Sequence, residues 1–188
     1  MITNAKKVLA ALAVTFSVGA ALIGFVEKEE GFGPKNAQGL YMAYPDAGYS
    51  WQLPTICNGH TRGVKRGDTA TIEQCRKYLA EDLEIAAKDV RRCVKVQITE
   101  SQFNALTSFN FNTGALCTSQ LVLYLNRGMC YTAATEFNAS PVRDKTTGAI
   151  KTYKGKPVMK WTTSNGTPLN GLIKRRAKER EMFEKDCK

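Results

Sequence analysis

Apolar positions along the chain follow two periods. From Ile72 they recur at spacings of three and four, through Cys75, Leu79, Leu83, Ala86, Val90 and Cys93, which puts them on one face of a long helix. Thr71 and Gln74 open that helix as a capping box. A second box, Thr99 with Gln102, opens a helix carrying Phe103, Leu106 and Phe109 and ending at Gly114. Further helices are expected from Thr118 to Arg127, stopped by Gly128, from Thr132 to Phe137, and from Leu172 to about Asp186. Between Leu40 and Thr61 the pattern breaks into short aromatic and β-branched runs, Tyr41–Tyr44 and Thr55–Cys57, around the turn Pro45–Gly48. Residues 140 to 170 are rich in Gly, Pro, Thr, Asn and Lys, with a hairpin expected around Lys154-Gly155. The pattern predicts an α+β, mostly helical domain with a small antiparallel sheet near its N-terminus.

One stretch has neither period. Val8 to Val26 is 19 residues without a charge or a proline, preceded by Lys6 and Lys7 and followed by Glu27, Lys28, Glu29 and Glu30. As a helix rising ~1.5 Å per residue it spans about 28 Å, close to the hydrocarbon thickness of a bilayer, with the upstream lysines on the cytoplasmic side. It is weakly apolar, with Ala10, Ala11, Ala13, Thr15, Ser17, Gly19, Ala20, Ala21 and Gly24 among its residues. An uncleaved anchor is preferred to a cleavable signal peptide ending near Val18-Gly19-Ala20, because the apolar stretch outruns the usual signal core. The chain divides accordingly into an anchor over 1–26 and a catalytic domain over 27–188, and both readings export the domain.

Composition narrows the chemistry. The 188 residues hold 27 Lys plus Arg against 17 Asp plus Glu, a formal charge of +10, which favours an anionic partner. No nucleic-acid motif accompanies that charge, and export argues against such a partner. Six cysteines without a CxxC pair fit three disulfides in an oxidising compartment, with 15 connectivities open. The single histidine, His60, makes a zinc hydrolase hard to assemble. A Cys57–His60 peptidase is set aside because a disulfide would remove the thiolate. No metal or cofactor is expected.

Hydrolysis of a glycosidic bond needs a carboxylic acid that protonates the leaving oxygen and a second group that orients water or stabilises the developing cation. Glu30, followed by Gly31, and Asp46, in the run Tyr44-Pro45-Asp46-Ala47-Gly48, are the candidates. The Glu-Gly pair, that run, and Thr55-Ile56-Cys57-Asn58-Gly59-His60-Thr61 together resemble the phage-type lysozymes of glycoside hydrolase family 24. Ala105-Leu106-Thr107-Ser108-Phe109-Asn110-Phe111-Asn112-Thr113-Gly114 is similar to the family's central helix, and Gly171 to Arg176 followed by Glu179 to its C-terminal signature.

The resemblance implies a lysozyme-like fold and an endolysin. Its substrate would be the β-1,4 bond between N-acetylmuramic acid and N-acetylglucosamine in peptidoglycan, cut for host cell lysis. Glu30 would be the general acid, with Asp46 and Thr55 positioning the attacking water. The loops Gly33–Gly39 and Tyr49–Pro54 are longer than the family's. With the weak anchor, the chain resembles signal-anchor-release endolysins, held inactive at the host inner membrane through residues 8–26, facing the periplasm, and then released into it. A monomer is expected, and the resemblance favours the pairs Cys57–Cys75, Cys93–Cys187 and Cys117–Cys130. Other readings are a lytic transglycosylase or a cationic, membrane-perturbing protein on an inactive scaffold. The basic helix with Lys174, Arg175, Arg176, Lys178 and Arg180 is either a solvated helix packed by one face or an amphipathic membrane element.

Overall fold

A computed structural model describes residues 15–188 except Ala47, Ala139, Asn165 and Gly166. Helix α1 (Ala20–Glu30) ends where Gly31 turns the chain at φ 67° and donates its amide to the Glu27 carbonyl. Strands β1 (Tyr41–Met42), β2 (Tyr44–Asp46), β3 (Ser50–Thr55) and β4 (Thr69–Ala70) follow. Helices α2 (Ile72–Cys93) and α3 (Glu100–Thr113) start with both expected capping boxes, each Thr hydroxyl accepting from the Gln amide three residues on. Gly114, left-handed at φ 62°, ends α3. A 3₁₀ turn (Leu116–Thr118) leads to α4 (Gln120–Asn126) and α5 (Cys130–Thr135). Two ribbons, β5 (Thr152–Tyr153) with β6 (Lys156–Pro157) and β7 (Thr163–Ser164) with β8 (Thr167–Pro168), precede α6 (Asn170–Glu184). Lys154 and Gly155, both at positive φ, make the β5–β6 turn at the predicted place.

The expected single sheet is two separate ribbons. Tyr41 and Met42 pair with Ala70 and Thr69, whereas Tyr44 pairs with Thr55. Ala43 is where the chain changes partner, donating its amide to the Asp68 carbonyl. Residues 40–61 therefore close on themselves only through β2 and β3, and β1 takes β4 from outside that stretch.

The core is built around α3, whose residues Gln102 to Asn110 are all buried. Phe109 meets Phe137 and Trp161 edge-on with ring centres 5.4 and 5.3 Å apart, and Phe137 packs against Phe183. Such edge contacts suit the ring quadrupoles. A second cluster joins Leu22 and Val26 of α1 to Leu79 and Leu83 of α2. Those two α1 residues belong to the stretch 8–26 read as an anchor. Residues 8–14 lie outside the described part, helix begins only at Ala20, and among the described residues no helix is long and apolar enough to cross a membrane. The boundary placed after residue 26 falls inside α1.

Two of the three disulfide expectations are overturned. Cys57 is bonded to Cys75, but Cys93 is bonded to Cys117 and Cys130 to Cys187. The pairs Cys93–Cys187 and Cys117–Cys130 do not form. The last residue of α2 lies beside the 3₁₀ turn, with Cα atoms of Cys93 and Cys117 5.5 Å apart, and the start of α5 lies beside the chain end, with the same separation for Cys130 and Cys187. Tyr131 supports the second link by donating its hydroxyl to the Cys187 carbonyl at 3.1 Å.

Helix α6 is packed by one face and solvated on the other, where Lys174, Ala177, Lys178 and Glu181 are exposed. Arg175, Arg176, Glu179 and Phe183 are buried against the core. The charge pattern did not show that Arg175 and Arg176 lie on the buried face, where Glu30 and Glu179 pair with them.

Candidate active site

Glu30 is the last residue of α1, and Gly31 aims it. At φ 67° and ψ −169° Gly31 occupies backbone space essentially reserved for glycine, which gives the Glu-Gly pair a physical meaning. The Gly31 carbonyl accepts from Asn58 Nδ2, so the helix end is tied to the turn after β3. Gly33 follows with its amide 3.1 Å from the Cys57 carbonyl, and a Cβ there would come within 2.5 Å of the Tyr44 ring. The loop after Glu30 is thereby pressed onto the β2–β3 hairpin.

Glu30 lines a cleft of about 460 Å³ between the end of α1, residues 58–62, one face of α2 and the end of α3, with Asn58, Asp82, Asp89 and Asn110 among its polar walls. Glu27 and Glu29 are turned elsewhere, Glu27 onto Arg76 at 2.9 Å and Glu29 onto Lys178 at 2.5 Å. Behind Glu30 stands a buried charged group. Arg175 Nη1 donates to Glu30 Oε1, and Arg175 Nε lies 3.1 Å from Glu179 Oε1. Glu179, fully buried, also accepts from Ser108 at 2.6 Å and from Arg176 Nη2 at 2.9 Å. Burial pushes the Glu179 carboxyl up, opposed by both arginines, and pulls Arg176 down to about 10, so Arg176 keeps its charge at neutral pH. The Arg176 guanidinium lies 5.1 Å from the centre of the Phe109 ring.

Asp46 and Thr55 lie outside the cleft lining, on the hairpin. Asp46 Oδ1 accepts from the amides of Gly48 at 2.7 Å and Tyr49 at 2.9 Å, the self-capping expected of Asp in a turn. Thr55 is buried and donates its hydroxyl to the Leu53 carbonyl at 3.2 Å. Tyr44 links the three candidates. It pairs with Thr55 across the hairpin, donates its hydroxyl to Cys57, and its phenol is pushed up by burial and then by the charges of Glu30 and Asp46. Both carboxylates thus act on one hydroxyl.

His60 is a structural residue. Its Nδ1 lies 2.8 Å from Asp82 Oδ2, its Nε2 3.0 Å from the Arg62 carbonyl, and its ring stacks on Tyr78 at 4.5 Å. Arg175 is the site residue missed by sequence reasoning. Its signals in the sequence were the pair of arginines three and four residues before Glu179 and the likeness of that run, Gly171 to Arg176, to the family's C-terminal signature.

The phage lysozyme family model matches residues 35–148. An endolysin of Bacillus phage B103 is 33% identical over 170 residues, 89% of this chain, which spans 54% of that relative's length. A SAR-endolysin of Enterobacteria phage P21 is 30% identical over 157 residues, 80% of this chain and 81% of the relative. Among solved structures, an endolysin from Escherichia coli phage FAHEc1 superposes with a TM-score of 0.63 at 25% identity, covering 92% of this chain and 96% of its own.

Proposed function

Because the chain belongs to the phage lysozyme family, we propose that it is an endolysin that cuts the glycan of peptidoglycan at the N-acetylmuramic acid to N-acetylglucosamine β-1,4 bond. The observation that carries this reading is the placement of Glu30 on the cleft wall, held by Gly31 from its own helix and by Arg175 from behind. In the forward step the Glu30 carboxyl gives its proton to the glycosidic oxygen as that bond breaks. Water held by Asp46 and Thr55 attacks the anomeric carbon from the other face and loses a proton toward Asp46. Arg175 is a positioning residue: shared between Glu30 and Glu179, it fixes the acid without touching the sugar.

The N-terminal segment is proposed to tether the chain to the host inner membrane before release into the periplasm. Leu22 and Val26 are apolar enough for a weak anchor and are also the residues that α1 buries against Leu79 and Leu83. The same side chains serve both environments in turn, and the SAR-endolysin relative supports the reading. Peptidoglycan and that membrane are the partners, the protein acts as a monomer, and nucleic acid has no role.

The test is reducing-sugar release from purified peptidoglycan by the protein beside its Glu30→Gln and Asp46→Asn variants. Release by the wild type that disappears in both supports the assignment. Release unchanged in Glu30→Gln removes Glu30 as the acid. Mass analysis of the products separates hydrolysis from lytic transglycosylation, which leaves an anhydro-muramic end. Killing that survives both substitutions favours membrane perturbation instead.

A further inference from the structure

The β2–β3 hairpin, which carries Asp46 and Thr55, is irregular between them. Pro45 pairs with Pro54 and Asp46 with Ser50, so Trp51, Gln52 and Leu53 of β3 have no partner on β2. Such a bulge turns side chains out of the regular pleat, and bulges gather beside active sites. This one presents Trp51 to solvent at 36% exposure, and the turn before β3 presents Tyr49 at 65%. Trp51 has a cation against its ring, and Tyr49 is tied through its backbone. The Arg66 guanidinium lies 4.8 Å from the centre of the Trp51 ring, which fixes the indole and covers one of its faces. The Tyr49 amide donates to Asp46 Oδ1 at 2.9 Å and its carbonyl accepts from the Gln52 amide at 3.1 Å. The segment between these two aromatics is thus bonded directly to the candidate catalytic carboxylate.

From this arrangement we infer that Trp51, with Tyr49, forms a stacking subsite for a pyranose ring of the glycan strand, outside the cleft that holds the bond to be cut. The inference rests on the muramidase reading. A pyranose ring presents a face of C–H bonds, and the electron-rich face of an indole or phenol is its natural partner. An indole held on one side by a cation leaves one face for such a ring. Because Trp51 would touch saccharide away from the reacting atoms, its interaction is equal in ground and transition states and acts on KM rather than kcat.

Full-length protein carrying Glu30→Gln, which stops turnover, is titrated calorimetrically with peptide-free glycan strands, alone and with Trp51→Ala or Trp51→Phe. The expected result is a Kd about tenfold weaker for Trp51→Ala, with most of the affinity kept by Trp51→Phe. In the chain with Glu30 intact, Trp51→Ala raises KM by a similar factor while kcat stays within about twofold and the melting temperature is unchanged. An unchanged Kd overturns the subsite. So does a Trp51→Ala variant whose melting temperature and kcat fall together, which makes Trp51 a structural residue, or one whose only loss is binding to anionic lipid vesicles, which makes it a membrane contact. If the wild type cleaves no glycan, the muramidase reading fails by itself, and the calorimetric comparison still decides whether Trp51 binds saccharide.

Discussion

Arg175 on α6 and Glu30 at the end of α1 are joined across 145 residues of chain, guanidinium Nη1 donating to carboxylate Oε1. Arg175 is 3% exposed and the Glu30 side chain 25%, so the pair runs from the sealed interior to the wall of the cleft. The arginine's other contacts, Glu179 and Ser108, are wholly buried. The candidate acid is therefore oriented by a charged group buried in the interior.

Replacing Arg175 by Met leaves the fully buried Glu179 with one fewer cation. Breaking a buried ion pair from one side costs about 3–5 kcal/mol, so the melting temperature should fall by roughly 10 °C. Adding Glu179→Gln then leaves the buried Arg176 cation without its carboxylate and should lower the melting temperature further, again without restoring activity. Thermal unfolding and glycan cleavage of the single and double variants check both halves.

Gly31→Ala tests backbone conformation alone, since nothing lies within 4 Å of the added methyl. The alanine must hold a φ and ψ that only glycine occupies comfortably, at a cost of about 1–3 kcal/mol. Relief comes by shifting the end of α1, and with it Glu30. The expected outcome is a kcat loss larger than that of Gly39→Ala, another positive-φ glycine with open space around it but no place in the cleft wall.

The Asp89 carboxyl is held below the usual carboxylate range by its hydrogen bonds to Arg92, at 2.6 Å, and Asn110, at 3.1 Å. Its folded value lies below its unfolded one. It therefore contributes stability above the unfolded value, about pH 4, and that contribution is lost as pH falls through the folded value. Asp89→Asn should lower the urea midpoint at pH 7, and the gap to wild type should close as pH falls below the unfolded value. A gap that stays constant with pH would make the loss one of packing.

Cys130 and Cys187 close the longest disulfide loop, with 57 residues of separation against 18 for Cys57 and Cys75. Loop-closure entropy gives about 4 kcal/mol for the former and about 3 for the latter. Cys130→Ser with Cys187→Ser should lower the unfolding midpoint more than the Cys57 and Cys75 double variant does. Peptide mapping without reduction should recover Cys93 linked to Cys117.

By itself, the sequence determined the features whose causes lie within a few residues. Both capping boxes, the glycine stops at Gly114 and Gly128, the apolar face of α2 and the Lys154-Gly155 turn are each set by neighbours in the chain, so their signals survive without a fold. The Glu-Gly pair was legible for the same reason, since Gly31 serves the helix that carries Glu30. Only the tertiary structure decided which distant groups meet. Tyr41 pairs with Ala70 instead of closing a sheet within residues 40–61, and Cys93 takes Cys117. Arg175 and Arg176, counted as surface charge, lie in the core because Glu30, Glu179 and Ser108 converge on them from three helices. Leu22 and Val26 show why composition could not settle the matter: an apolar side chain is equally content in lipid and against Leu79 and Leu83, because what drives it is leaving water.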